Sequence, residues 1–152
     1  WPKERWIALG ASLQDRGYSV IVIGSENEVK LAGEIVSAIP HALEFTARPI
    51  PEVAAIMERC AAVVSNDSGL MHLAAGVGAR VVGIFGPTVE EFGFFPFRAR
   101  SRIIEQQLSC RPCSTMGTET CKEGHFRCML DTTPEMVEEA VRNVLAMTER
   151  TL

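Results

Sequence analysis

The feature that most constrains this chain is a set of short apolar runs placed between stretches of helical spacing. Val20, Ile21, Val22 and Ile23 are consecutive and end at Gly24, and Val81-Val82-Gly83-Ile84-Phe85 repeats the theme. A strand wetted on one face alternates polar and apolar residues. A run that is apolar at every position suits a parallel strand covered on both faces. Residues 61–65 read as a further buried strand, with a short strand at 43–45 and a last short strand within 102–108. Between them, residues 29–39 return to helical spacing and stop before Pro40. Residues 51–60 read as a helix with Pro51 in its first turn, and 68–76 as a helix punctuated by Gly76 and Gly78. Trp6, Leu9 and Leu13 mark an opening helix ended by Gly17, and Thr133-Pro134 caps a closing helix with Met136, Val137, Ala140, Val141, Val144 and Leu145 on its apolar face. Strands alternating with helices of about three turns predict βαβ units, hence an α/β fold with a Rossmann-like, doubly wound parallel sheet. At 152 residues the chain is one domain's worth, residues 1–152.

In such sheets right-handed crossovers bring the carboxyl ends of all strands to one edge, where ligands bind. The loops to examine are therefore 24–28, 66–69 and 86–88. Asn66-Asp67 is delivered to that edge, Ser68 is placed to cap the following helix, and Gly69 permits close approach of backbone and ligand. The helix offers free amides and the positive end of its dipole, which suit a pyrophosphate. His72 lies about one turn beyond Ser68 and can face the same side. Asp-Ser-Gly at a strand–helix junction is also ordinary capping chemistry, and a histidine on a helix is commonly a packed residue. The combination of Asp67, Ser68, Gly69 and His72 with a second turn, Gly86-Pro87-Thr88, after the adjacent strand favours a site. No G-x-x-x-x-G-K-[ST] is present, and the glycines at 76, 78, 83 and 86 lie before and within a strand, the wrong context for a dinucleotide fingerprint.

Charge and cysteine content narrow the classes further. Fifteen basic against nineteen acidic residues give a formal charge of −4, a poor footprint for nucleic acid. The longest mostly apolar stretch, 70–86, is interrupted by His72 and Arg80 and is too broken to span a bilayer. The opening WPKERWIALG lacks the regions of a signal peptide, and without an initiator Met it reads as the start of an excised piece. Four of five cysteines fall in 110–128, a stretch without clean period expected to be a long ordered loop. Cys110-x2-Cys113 has zinc-like spacing, but Cys121, His125 and Cys128 complete no second C-x2-C, so a structural zinc and free thiols both stay open. Cys60 reads as a packing residue. Arg98, Arg100, Arg102, Arg111, Lys122 and Arg127 outnumber Glu105, Glu119 and Glu123 around that loop. They form either a solvated surface or an attraction toward phosphorylated lipid or an anionic membrane face. The aromatic run 92–97 is expected to pack under the loop or against another domain.

The run S-N-D-S-G-L-M-H-L-A-A-G-x-G followed by V-V-G-I-F-G-P-T resembles the signature of the family 9 glycosyltransferases, which include the ADP-heptose:lipopolysaccharide heptosyltransferases. C-R-P-C, C-K-E-G-H-F-R-C-M, the T-P-E-x-V helix and the opening W-P-K-E-R-W extend the resemblance over essentially the whole chain. It implies the C-terminal, donor-binding half of a GT-B enzyme, with the acceptor domain and its general base outside this sequence, as is a lysine just ahead of W-P. Asp67, Ser68, Gly69 and His72 match residues that hold the donor diphosphate and sugar. Glu28, or else Glu26, matches an acid on the ribose hydroxyls; either acid could equally be a solvated first turn. The segment around Arg48 matches the adenine wall, Arg48 itself being otherwise a surface charge, and Gly86, Pro87 and Thr88 shape the floor. The implied reaction is inverting transfer of heptose from ADP-heptose to the lipopolysaccharide core, without metal or cofactor. The implied location is cytoplasmic, with peripheral contact at the inner face of the inner membrane. Alternatives are a non-catalytic nucleotide- or sugar-binding module and a zinc-stabilised interaction domain.

Overall fold

A computed structural model describes residues 1–118 and 120–147, so Glu119 of the basic region lies outside the described residues. The order is α1 (Lys3–Asp15), β1 (Ile21–Gly24), α2 (Val29–Ala38), β2 (Leu43–Thr46), α3 (Ile50–Arg59), β3 (Val63–Asn66), α4 (Gly69–Gly76), β4 (Val81–Phe85), β5 (Ser101–Glu105), α5 (Arg127–Leu130) and α6 (Pro134–Leu145). Every strand pairing is parallel: β1 with β2, and β3-β4-β5 in a second group. The α/β reading and all five strands predicted from the sequence are observed, β4 to the residue and the others with boundaries shifted by up to three residues. The stretch 110–131 is mostly loop, as expected, but closes with the short helix α5.

β4 is buried at all five positions because both its faces are covered. Val82 and Ile84 face α6 and α1, packing with Leu9, Ile104, Val137, Val141 and Val144. Val81 and Phe85 face α3 and α4, packing with Val53, Met57, Met71 and Ala74. The period-2 split of one apolar run between two cores is what a doubly wound sheet requires. Thr133 accepts a hydrogen bond from the Met136 amide (3.4 Å) and Pro134 follows it, the start the sequence predicts for α6. Met136 is the exception on that helix's apolar face and is exposed. Glu138, buried on α6, accepts from Ser12 Oγ and pairs with Arg16 Nη2, each at 2.5 Å, and so ties α6 to α1.

Of the aromatic run, Phe94 and Phe95 pack onto the α3–α4 core, Phe95 lying 4.6 Å from the Phe85 ring. Phe97 stays exposed beneath the Arg98 guanidinium. No helix among the described residues is long and apolar enough to cross a membrane.

Candidate functional site

The parallel strands bring Gly24, Thr46, Asn66 and Phe85 to one edge of the molecule. β3 ends at Asn66, the Asp67 amide still bonds to Ile84 O of β4, and α4 begins two residues later. Ser68 occupies the N-cap position with extended backbone (φ −160°), but its side chain makes no capping bond. Its hydroxyl instead lies 3.1 Å from Ser65 Oγ, which corrects the capping role expected of it. The Ser68 carbonyl receives the Met71 and His72 amides. The amides of Gly69 and Leu70, ahead of these, have no acceptor within the helix, as at any helix start. Gly69 and His72 are exposed, and Asp67 and Ser68 are half-buried.

Asp67 is fixed from the neighbouring loop. Thr88, which is 2% exposed, donates from Oγ1 to Asp67 Oδ2 at 2.7 Å. That loop is itself held by Arg111, whose side chain is only 5% exposed. Arg111 donates to the carbonyls of Gly86 (2.6 Å), Thr88 (2.7 Å) and Gln106 (2.6 Å) and pairs with Glu105 (2.8 Å). A planar guanidinium fork meets several fixed acceptors in this way where an ammonium would not. The Cys113 amide adds a bond to Pro87 O. Arg111 is thus a structural hub of the site and not the free surface charge expected from the basic cluster; Arg127 is likewise paired, with Asp131.

On the other side of the edge, Ser25 starts a 3-10 turn, Glu26–Glu28. Glu28 Oε2 accepts from both the Ser25 amide and hydroxyl at 2.7 Å, a reciprocal cap. Ser25-x-x-Glu28 is the sequence signature of that cap, and the cap bonds, not exposure, separate Glu28 from Glu26, since both acids are exposed. Arg48 follows β2, exposed, its guanidinium 5.5 Å from the Phe45 ring centre.

A cavity of about 570 Å³ reaches this edge, where Gly24, Glu28, Asn66 and Ser68 belong to its lining. Its lining does not include Asp67, Gly69, His72, Glu26, Arg48, Gly86, Pro87 or Thr88; these stand on the surrounding edge. The structure therefore brings the Asp67–Gly69 corner together with Thr88, and gathers Glu28 and Ser68 in the lining of one cavity. His72 joins the corner through its amide, which bonds to Ser68 O, and the Arg48 guanidinium lies against the Phe45 ring.

The cysteine-rich loop builds no metal centre: among the described residues no three His, Cys, Asp or Glu side chains are grouped so as to hold an ion. Cys110 Sγ and His125 Nε2 are 3.8 Å apart. Cys121 receives the Phe126 amide at 3.3 Å, and this with neighbouring backbone amides draws its thiol pKa down. Burial pushes the Cys128 thiol up, reinforced by the charges of Cys113 and Cys121, and burial alone does the same at Cys60. All five thiols are free.

Residues 1–124 match the family model for glycosyltransferase family 9 (heptosyltransferase). The chain belongs to glycosyltransferase family 9. Among curated relatives, the lipooligosaccharide heptosyltransferase 2 of Haemophilus influenzae is 32% identical over 156 residues, covering 96% of this chain and 43% of the relative. The lipopolysaccharide heptosyltransferase 2 of Escherichia coli K12 is 27% identical, covering 98% and 43%. Among solved structures, the E. coli ADP-heptose lps heptosyltransferase II superposes with a TM-score of 0.79 at 27% identity, covering 95% of this chain and 41% of that one. A family 9 structure from Veillonella parvula gives a TM-score of 0.82 at 24% identity, with 95% and 41% covered, and supports the fold. The chain thus spans about 43% of the length of the curated relatives it matches.

Proposed function

We propose that this chain is the donor-binding, C-terminal half of an inverting GT-B glycosyltransferase that takes heptose from ADP-heptose to the lipopolysaccharide core. The observation that carries this reading is the Asp67-Ser68-Gly69 corner at the start of α4, on the carboxyl edge of a parallel sheet, with Asp67 locked by Thr88. The family membership and the heptosyltransferase relatives supply the reaction class. A solved relative, E. coli heptosyltransferase WaaC, is described with ADP, the nucleotide this reading requires.

The chemistry divides the residues by what they can offer. The Gly69 and Leu70 amides, the Ser68 hydroxyl and His72 are donors and suit the diphosphate oxygens. Asp67 is an acceptor and a negative charge, so it suits hydroxyls of the sugar and is ill matched to phosphate. Glu28 has one oxygen engaged by Ser25 and lines the cavity, and a ribose diol can donate to its other oxygen. Glu26 is the less suited of the two acids. Arg48 and the floor at Gly86, Pro87 and Thr88 frame the base and sugar.

In the transfer itself an acceptor hydroxyl attacks the anomeric carbon and the C–O bond to the diphosphate breaks with inversion. A carboxylate in the acceptor-binding domain removes the hydroxyl proton. The departing ADP gains negative charge next to the α4 amides and His72, so these contacts strengthen as the bond breaks. No metal ion and no cofactor take part in this scheme. The enzyme works on the cytoplasmic side, and the exposed cations Arg98, Arg102 and Lys122 give it a weak peripheral affinity for anionic membrane.

Calorimetry with ADP and UDP tests the reading. ADP binds in preference to UDP, and the 152-residue chain alone binds nucleotide without transferring sugar. Indifference to both nucleotides overturns the proposal, and sugar transfer by the isolated chain overturns the division of labour.

A further inference from the structure

The loops that follow β3, β4 and β5 are tied to one another at the carboxyl edge, and the ties run through Arg111. Three successive carbonyls of the loop after β4 accept from one short segment of the loop after β5. Arg111 Nε donates to Gly86 O at 2.6 Å, the Cys113 amide to Pro87 O at 3.2 Å, and Arg111 Nη2 to Thr88 O at 2.7 Å. Arg111 is braced in turn by the end of its own strand. Nη2 also pairs with Glu105 Oε2 at 2.8 Å, and Nη1 donates to Gln106 O at 2.6 Å. Glu105 ends β5 in register with Phe85, which ends β4. The Gln106 side chain donates to Thr132 Oγ1 at 3.1 Å, and Thr132 is fully buried. The guanidinium therefore stands on a fixed strand end and grips the neighbouring loop from the side.

The grip falls on the residue that orients Asp67. Thr88 gives its carbonyl to Arg111 and, from the same residue, its hydroxyl to Asp67 Oδ2 at 2.7 Å. Holding the carbonyl fixes a peptide plane at Thr88, and with it the direction in which the side chain leaves the backbone. A β-branched side chain has few χ1 wells, so the hydroxyl follows the backbone. Thr88 is buried, and water does not replace a misplaced partner there. Arg111 is almost closed to water, so the carbonyls it holds turn their negative ends to a buried cation and not to the edge. A cation that only stabilised the loop would leave the direction of Asp67 independent of it.

We propose that Arg111 is a positioning residue of the donor site: through the Thr88 carbonyl it aims the Thr88 hydroxyl at Asp67 and so sets the direction of that carboxylate. That Asp67 meets the donor sugar rests on the function proposed above; that Arg111 directs Asp67 does not.

A double-mutant cycle of R111K and T88V on the 152-residue chain tests this. The first readout needs no nucleotide and is the carboxyl carbon resonance of Asp67 in NMR spectra. T88V displaces it by removing the donor. R111K keeps the charge and loses the fork, and displaces the resonance in the same direction by about half as much or more. In the T88V background R111K adds nothing, because the donor it directs is gone. E105Q loosens the Nη2 that Glu105 shares with Thr88, and carries the same cycle if R111K does not fold. The second readout is the ratio of affinities for ADP-heptose and ADP by calorimetry. R111K and T88V each lower it at least about threefold, and the double variant lowers it no further. A general loosening of the loop weakens both nucleotides alike. An Asp67 resonance unmoved by R111K, or displacements that add in the double variant, overturn the proposal. Displacements that couple while the ratio stays unchanged support the positioning by Arg111 and overturn the placing of the sugar at Asp67.

Discussion

Thr88 Oγ1 donates to Asp67 Oδ2 at 2.7 Å, which joins the loop after β4 to the corner after β3 by a buried donor and a half-exposed carboxylate. Two adjacent parallel strands thereby set the position of one acid. Replacing Thr88 by Val keeps the shape and removes the donor. A hydrogen bond to a charged group contributes about 1.5–3 kcal/mol, and the half-exposed carboxylate recovers part of it from water. T88V is expected to lose about 1 kcal/mol in urea unfolding, and to weaken ADP-sugar binding more than ADP binding. Equal weakening of both ligands would place Asp67 away from the sugar.

Arg111 holds three carbonyls and Glu105 from a position almost closed to water. Truncation leaves those acceptors without a donor, so R111M is expected to cost about 3 kcal/mol. R111K keeps the charge but loses the fork, and restores less than half of that loss. Denaturation midpoints of the three proteins decide this; full rescue by lysine would show that charge alone matters.

Thiol reactivity should follow local environment. Cys121 has its pKa lowered chiefly by the Phe126 amide, whereas burial raises those of Cys60 and Cys128. Iodoacetamide labelling read by peptide mass spectrometry should modify Cys121 first and at the lowest pH, with Cys60 and Cys128 last.

The same shifts carry a sign for stability. A raised thiol pKa means the folded state keeps its proton longer than the unfolded chain does. Stability from Cys60 and Cys128 is therefore full below the unfolded thiol value of about 8.5 and falls as pH rises above it. Cys121, only partly covered, acts in the opposite direction and weakly. C60S and C128S variants should flatten the alkaline loss seen in thermal melts between pH 8 and pH 10, values that bracket about 8.5; an unchanged slope would refute this assignment.

Much of this fold is legible in the sequence because parallel strands write themselves as apolar runs. The run 81–85 marks β4 to the residue, and the Thr133-Pro134 start of α6 is local chemistry. The Asp67 corner is legible for the same reason, since a strand end fixes the edge on which it lies. What stays hidden is what depends on partners distant in the chain. Arg111 reads as one cation among several, and nothing near it in sequence shows that Gly86 and Thr88 will present carbonyls to it. Ser68 has the residue type and place of a cap, yet Ser65 captures its hydroxyl's neighbourhood. The Ser25–Glu28 cap was readable from spacing alone, and it distinguishes two acids that composition treats alike. Strand count is also hidden: each apolar run announces a strand, but no run announces how many neighbours it has.

The central claim is that the first turn of α4 and its Asp67 corner hold the diphosphate-linked sugar of a nucleotide donor. Calorimetry of the chain with ADP and with adenosine, repeated on H72A and D67A, tests it most directly. The account predicts that ADP binds at least about tenfold more tightly than adenosine, equivalent to about 1.4 kcal/mol. It also predicts that H72A removes most of that difference, and that D67A lowers affinity for the intact nucleotide sugar. Equal binding of adenosine and ADP, unchanged in both variants, would contradict it.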